Sequence, residues 1–193
     1  MIPGHPVPGD PVPGELAERA RAWIGDDPDA ADRAELEDLL AAAARGDTAG
    51  GASGQAAAAD LADRFAGRLE FGTAGLRGAM AAGPNRMNRA VVRAATAGLA
   101  RWLHEHRPPG TGVVLGWDAR HRSAEFASEA AAVLTGAGIP VHLLPGRSPT
   151  PLLAFAIRYL SAAAGVMITA SHNPPADNGY KLYLGDGVQI VPP

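Results

Sequence analysis

The chain reads as an α/β protein: a three-layer α/β/α sandwich with a mixed, mostly parallel sheet, preceded by N-terminal helices. Three observations predict it. From residue 111 onward, short apolar runs alternate with longer helical segments, the pattern of a parallel sheet with crossover helices on both faces. The runs are TGVVLGWD at 111–118, IPVHLLP at 139–145 and GVMITAS at 165–171, and the first and last end in polar residues. Before residue 70, alanine-rich stretches carry leucines at helical spacing instead.

The first fourteen residues, MIPGHPVPGDPVPG, alternate proline and glycine with little to bury and predict a disordered or extended tail. A helix follows from Glu15, carrying Leu16, Trp23 and Ile24 toward a core. Asp29 is placed to cap a second helix over 31–44, where Leu36, Leu39 and Leu40 share a face. Glycines within 45–54 break it, and 55–69 is helical again. FGTAGLRGAM, 71–80, has two glycine-containing turns and cannot be a continuous helix. A long helix from Asn88 to His106 is stopped by Arg107-Pro108-Pro109-Gly110. Ser123 to Gly136 is a helix with Ser123 as its N-cap and Glu125 in its first turn. SPTPLLAFAIRYLSA, 148–162, starts a helix with prolines near its N-terminus, where they are tolerated. GYKLYL, 179–184, is a fourth strand able to fold back beside 165–171. The expected organisation is a tail at 1–14, a helical segment at 15–69 and an α/β domain at 70–193.

At 193 residues the chain has room for a hydrophobic core, and 47% apolar with 19% charged residues reads as soluble and globular. Net charge is only −3, which offers no electrostatic footprint for nucleic acid or a membrane surface. Cysteine is absent, which excludes disulfides and thiolate-ligated zinc and suits a reducing interior. No apolar run reaches bilayer length, and the N-terminus lacks the basic start and apolar stretch of a signal peptide. A cytoplasmic protein is expected.

In a doubly wound sheet the chemistry lies beyond the carboxyl ends of the strands. Two clusters fall there: Asp118-Ala119-Arg120 and Ser171-His172-Asn173. Ser171 leaves an apolar strand and is followed at once by Pro174 and Pro175, which remove two backbone donors and forbid a helix. That counts against the strand-to-helix G-x-S-x-G elbow of a hydrolase. A stiff loop suits a different task, holding Ser171 in a cleft with the His172 and Asn173 N–H groups turned toward an anion bonded to its oxygen. Lys181 would be carried to the same place by an Asn178-Gly179 turn. A phosphoryl group on Ser171 would bring close to two negative charges, which cations and oriented N–H groups hold. The glycines of FGTAGLRG, 71–78, let the backbone approach a ligand, and Arg77 would project its fork of donors from that loop. His104 and His106, two apart on a helix, face different ways and read as surface residues.

FGTAGLRG, GWDAR at 116–120 and TASHNPPADNGYKLY at 169–183, in that order, resemble the first domain of the α-D-phosphohexomutases, the phosphoglucomutase and phosphomannomutase enzymes. The TAGLRG wording and NRMN at 85–88 resemble the phosphopentomutase-like branch, and the likeness runs from about Trp23 to Pro193. The resemblance implies a phosphoryl shuttle. The residue matching Ser171 carries the phosphoryl group, binds Mg²⁺ through it, and exchanges a sugar 1-phosphate with a 6- or 5-phosphate by way of a sugar bisphosphate. It implies that Arg77 and Lys181 contact the phosphoserine and the transferring phosphate. Lys181 or His172 would handle the proton, with Asp118, Arg120, Asn173 and Gly179 as support. Family members have four domains; the aspartate-rich metal loop and the sugar- and phosphate-binding loops of the other three have no counterpart here. The isolated polypeptide is therefore expected to be nearly inactive as a mutase. The alternative is a non-catalytic phosphosugar-binding or interaction module.

Overall fold

The computed structural model describes residues 14–44, 52–108 and 111–191. Residues 1–13 of the expected tail, residues 45–51 of the expected glycine break, and Pro109 and Gly110 lie outside the described residues. The chain divides into two compact units.

The first unit holds α1 (Gly14–Asp26), α2 (Ala30–Ala44) and α3 (Ala52–Arg64), together with residues 81–85. Asp29 caps α2 by accepting from the Ala31 N–H at 2.9 Å. Leu36, Leu61 and Phe65 are buried at its centre, and Trp23 meets Phe65 edge-on at 6.4 Å. The expected helix at 55–69 ends sooner, at Arg64, where the chain turns through Ala66 and Gly67.

The second unit is built on a five-stranded sheet ordered β1-β5-β4-β2-β3. Its strands are β1 (Leu76–Ala79), β2 (Val113–Trp117), β3 (Val141–Arg147), β4 (Ala164–Ile168) and β5 (Asp177–Leu184). β2 pairs in parallel with β3 and β4, whereas β5 runs antiparallel to β4 and β1 antiparallel to β5. The sheet is mixed, as expected, with parallel and antiparallel pairings in equal number. β1 is an unforeseen strand within FGTAGLRGAM: after the Gly72–Gly75 turn, the chain straightens and pairs with β5.

Strand residues alternate between two faces, so each face needs its own cover. Val113, Leu115, Val166 and Ile168 face α4 (Arg89–His106) and α5 (Ser123–Gly136), meeting Val92, Leu99, Phe126 and Leu134. Val114, Met167 and Tyr183 face α6 (Thr150–Tyr159), meeting Leu153, Ala156 and Ile157. These are the three layers. His104 and His106 are exposed on α4, as expected of surface residues.

Asn88 caps α4 by accepting from the Val91 N–H at 2.9 Å. Ser123 does not cap α5: the N-cap is Arg122, in a left-handed conformation, and the Ser123 hydroxyl is used elsewhere. α4 and α5 are tied by buried Glu129, which accepts from Arg89 at 2.6 Å and from Arg93. Burial raises the Glu129 carboxyl, but hydrogen bonds from Arg93 and Arg89 outweigh it and hold the group below the usual carboxylate range. A depressed folded pKa contributes stability above the unfolded value of about 4.3, lost as pH falls through the folded one. Glu129→Gln is expected to cost about 2 kcal/mol at neutral pH, with the gap to the native protein narrowing as pH falls through the carboxylate range. Thermal unfolding across that range checks this; a gap that stays constant would show that the ion pairs are not its source.

Candidate active site

β2 is flanked by β3 on one side and β4 on the other, and the chain runs β2–α5–β3–α6–β4. The strand order therefore reverses between β2 and β4, the place where open α/β sheets bind ligands. Asp118 and Thr169 emerge side by side at that point. The Asp118 N–H donates to the Ile168 carbonyl at 3.1 Å, and the Thr169 hydroxyl donates to the Asp118 carboxylate at 2.6 Å. That carboxylate also accepts from the Ser123 hydroxyl at 2.8 Å and the Arg120 N–H at 3.0 Å. Asn178, fully buried, extends the network by donating to Ser123 Oγ at 2.9 Å and to the His121 carbonyl at 2.8 Å. Buried polar groups are costly unless partnered, and here each holds the next.

Upon this base sits the serine loop. The Ser171 N–H turns back to the Thr169 hydroxyl at 2.9 Å, and Ser171 adopts φ +59°, the left-handed region that serine rarely visits. The Asn173 N–H donates to the Ala170 carbonyl and the Asp177 N–H to the Pro174 carbonyl. The result is an exposed Ser171 and His172 on a tightly turned support. The expectation that the Asn173 N–H faces an anion is corrected by its bond to Ala170. Its side chain takes part instead, accepting from Arg77 at 3.2 Å and donating to Asp177 at 2.9 Å.

Arg77 belongs to β1, not to a loop, because Leu76–Ala79 pairs with β5. The expected Asn178-Gly179 turn is likewise part of a strand, β5, and the reversal occurs earlier, between Pro174 and Asp177. Asn178 is held extended by its buried partners, and its carboxamide oxygen accepts from the Gly179 N–H at 2.8 Å. Arg77 lies directly opposite Gly179, so it shares a sheet face with Lys181 two residues on. A β-carbon on Gly179 would sit 2.7 Å from the Leu76 and Thr169 carbonyl oxygens and 3.2 Å from Arg77 Cγ. Bare glycine is what lets the Arg77 side chain cross the strand here. Lys181 is held below the usual lysine range by burial first and by the Arg77 charge second. Arg77 Nε is buried without a hydrogen-bond partner. Two cations crowd one face with a donor left open, an arrangement that an anion would complete.

Ser171, His172, Asn173, Asp118 and Arg120 thus converge on one loop and its base, and Asn173 links that loop to Arg77. Thr169 was not singled out, and Ser123 and Asn178 were expected as a helix cap and part of a turn, not as parts of this network. Among the described residues no group of three or more His, Asp or Glu side chains is placed to hold a metal ion. The Asp118 carboxylate is already surrounded by donors, so the residues present do not form a Mg²⁺ site by themselves. No helix among the described residues is long and apolar enough to cross a membrane.

The chain is 49% identical over 137 residues to a phosphoribomutase of Saccharomyces cerevisiae, covering 69% of this chain and 22% of that protein. It is 44% identical over 126 residues to a phosphoglucomutase of Staphylococcus haemolyticus (65% and 23%) and 43% over 142 residues to the human phosphopentomutase (69% and 23%). A solved structure of a Thermus thermophilus protein assigned as a phosphomannomutase superposes with a TM-score of 0.59 at 40% identity, over 64% of this chain and 27% of that one. The chain spans under a quarter of the length of these curated relatives. Residues 68–193 match the family described as phosphoglucomutase/phosphomannomutase, alpha/beta/alpha domain I. With nearly two thirds of its residues inside that match, the chain belongs to the phosphoglucomutase/phosphomannomutase family.

Proposed function

We propose that this chain is the serine-bearing domain of a phosphosugar mutase that interconverts sugar 1-phosphates and 6-phosphates, or 5-phosphates of pentoses, through a phosphoserine and a sugar bisphosphate. Residues 70–193 form that domain and 15–69 a helical segment ahead of it. The observation that carries the reading is the open, buried Nε of Arg77 on the sheet face that also carries Lys181, tied through Asn173 to the loop of Ser171.

Ser171 carries the phosphoryl group. A hydroxyl oxygen of the bound sugar monophosphate forms a bond to that phosphorus as the bond to Ser171 Oγ breaks, giving a bisphosphate. The reverse transfer, from the other sugar phosphate, restores the phosphoserine. Such transfer asks a protein for in-line positioning and charge stabilisation. Arg77 supplies the charge, and Lys181 contacts the transferring phosphate beside it. Lys181 is also our choice to take the sugar hydroxyl's proton, becoming a cation as it does so, and to pass that proton to the departing Ser171 Oγ, because burial and Arg77 depress its pKa and favour the neutral amine. His172, exposed beside Ser171, is the other candidate. Mg²⁺ would polarise the transferring group when bound; this chain offers it the Ser171 phosphoryl oxygen, and further ligands must come from elsewhere. The sugar is read outside this domain, and the proposed compartment is the cytoplasm.

Mass spectrometry of the protein isolated from its own cells tests this. We expect one phosphoryl group on the peptide containing Ser171, removed by phosphatase and absent from Ser171→Ala. A Ser171 that never carries phosphate would overturn the mutase reading in favour of a non-catalytic phosphosugar-binding module.

A further inference from the structure

Two arginines approach the serine loop, and their donor accounts differ. A guanidinium has five N–H donors in a fixed planar fork. Arg120 uses one nitrogen on the carbonyls of Pro174 and Asp177, at 2.7 and 3.1 Å, and another on those of Ser171 and Asn173, at 2.9 and 2.7 Å. Its Nε faces the Asp118 carboxylate at 3.5 Å. Four donors meet four carbonyls and the Nε side is turned to the Asp118 charge, so Arg120 is spent on the loop and its base rather than on a phosphate. Arg77 donates to Asn173 and keeps a buried Nε open.

We infer that Arg120 is the positioning residue of the serine loop: it fastens four loop carbonyls and holds Ser171 in its left-handed backbone conformation before any phosphoryl group or ligand arrives. This builds on Ser171 as the phosphoryl carrier, but the fastening itself does not depend on it. The acceptors come from residues 171, 173, 174 and 177, the whole reversal between β4 and β5, so one side chain sets the curvature of the entire loop. Lysine cannot replace it, having three donors that radiate from a point where the loop needs a planar fork. Asp118 orients that fork, and Thr169 and Ser123 orient Asp118.

The test is solution NMR on the 193-residue chain without ligand. In the native protein, couplings across hydrogen bonds should connect the Arg120 guanidinium nitrogens with the carbonyls of Ser171, Asn173, Pro174 and Asp177. Ser171 should show the strong contact between its own amide and α protons that a positive φ brings. In Arg120→Gln and Arg120→Lys that contact should weaken, and amide exchange at Asn173 and Asp177 should quicken by about tenfold or more, with Val166 in β4 unchanged. An unaltered Ser171 contact and unaltered exchange in both variants would overturn the inference. Absence of the couplings in the native protein would do so even if neither variant folds. None of these readouts involves phosphate, so a Ser171 that is never phosphorylated would leave this result standing and sink only the mutase reading.

Discussion

Gly75→Ala is expected to cost about 4 kcal/mol, a large share of the roughly 5–15 kcal/mol that holds a domain folded. Two effects add. Gly75 has φ +86°, where an L side chain is strained. A β-carbon there would also lie 2.4 Å from the Tyr180 carbonyl oxygen and 3.1 Å from Lys181 Cα. These are backbone atoms of β5, which cannot move aside as a side chain would. β1 would have to withdraw, taking Arg77 from its register opposite Gly179. Gly98 supplies the contrast: it is exposed within α4 with nothing near its missing β-carbon, so Gly98→Ala should stabilise by about 0.5–1 kcal/mol. Urea unfolding of both variants checks the pair. Similar midpoints would mean that the β1–β5 edge is not closely packed.

Asp118→Ala is expected to be nearly as damaging, at about 3 kcal/mol. The carboxylate accepts from Thr169, Ser123 and the Arg120 N–H, and its loss leaves three partly or fully buried donors without their acceptor. Asp118→Asn keeps one acceptor oxygen but turns an amide toward a donor, and should fall between the native protein and alanine. Denaturant unfolding reads the stabilities. Limited proteolysis at the serine loop should show that Asp118→Ala exposes residues 171–177 well before the sheet unfolds. A loop as resistant as in the native protein would detach Asp118 from that task.

β2 and β4 were legible because each is an apolar run, and burial on both faces is what such runs predict; β3 was legible as a strand too, but at the sheet edge it stays largely exposed. The serine loop was legible for a local reason: a strand followed by two prolines can only turn stiffly. β1 was not, because glycines argue against a strand unless a partner strand runs across them, and that partner lies a hundred residues on. Asn178-Gly179 carries the usual signal of a tight turn. Here the asparagine amide is spent on Ser123 and His121 and the glycine on clearance for β1, needs visible only once the sheet is assembled. Arg120 could be placed near the site from its strand end. Its role could not be read, because all four carbonyls belong to residues more than fifty positions later.

That separation bears on the order in which the molecule assembles. β4 and β5 are joined by the serine loop alone, with Ile168 opposite Tyr180, a closure of hairpin length that forms in about 1–10 μs. β2 reaches β4 only by closing a loop about fourfold longer, Val113 to Ala164, at about 1 kcal/mol more in chain entropy. The serine loop is therefore expected to form as a slack hairpin connection before the strand that delivers Arg120 docks beside it. Synthesis from the N-terminus does not change this, because Arg120 must wait for carbonyls made fifty residues later. The segment that bears the reactive serine is thus early to close and late to stiffen, and a half-assembled domain would present Ser171 without the shape that gives it a use.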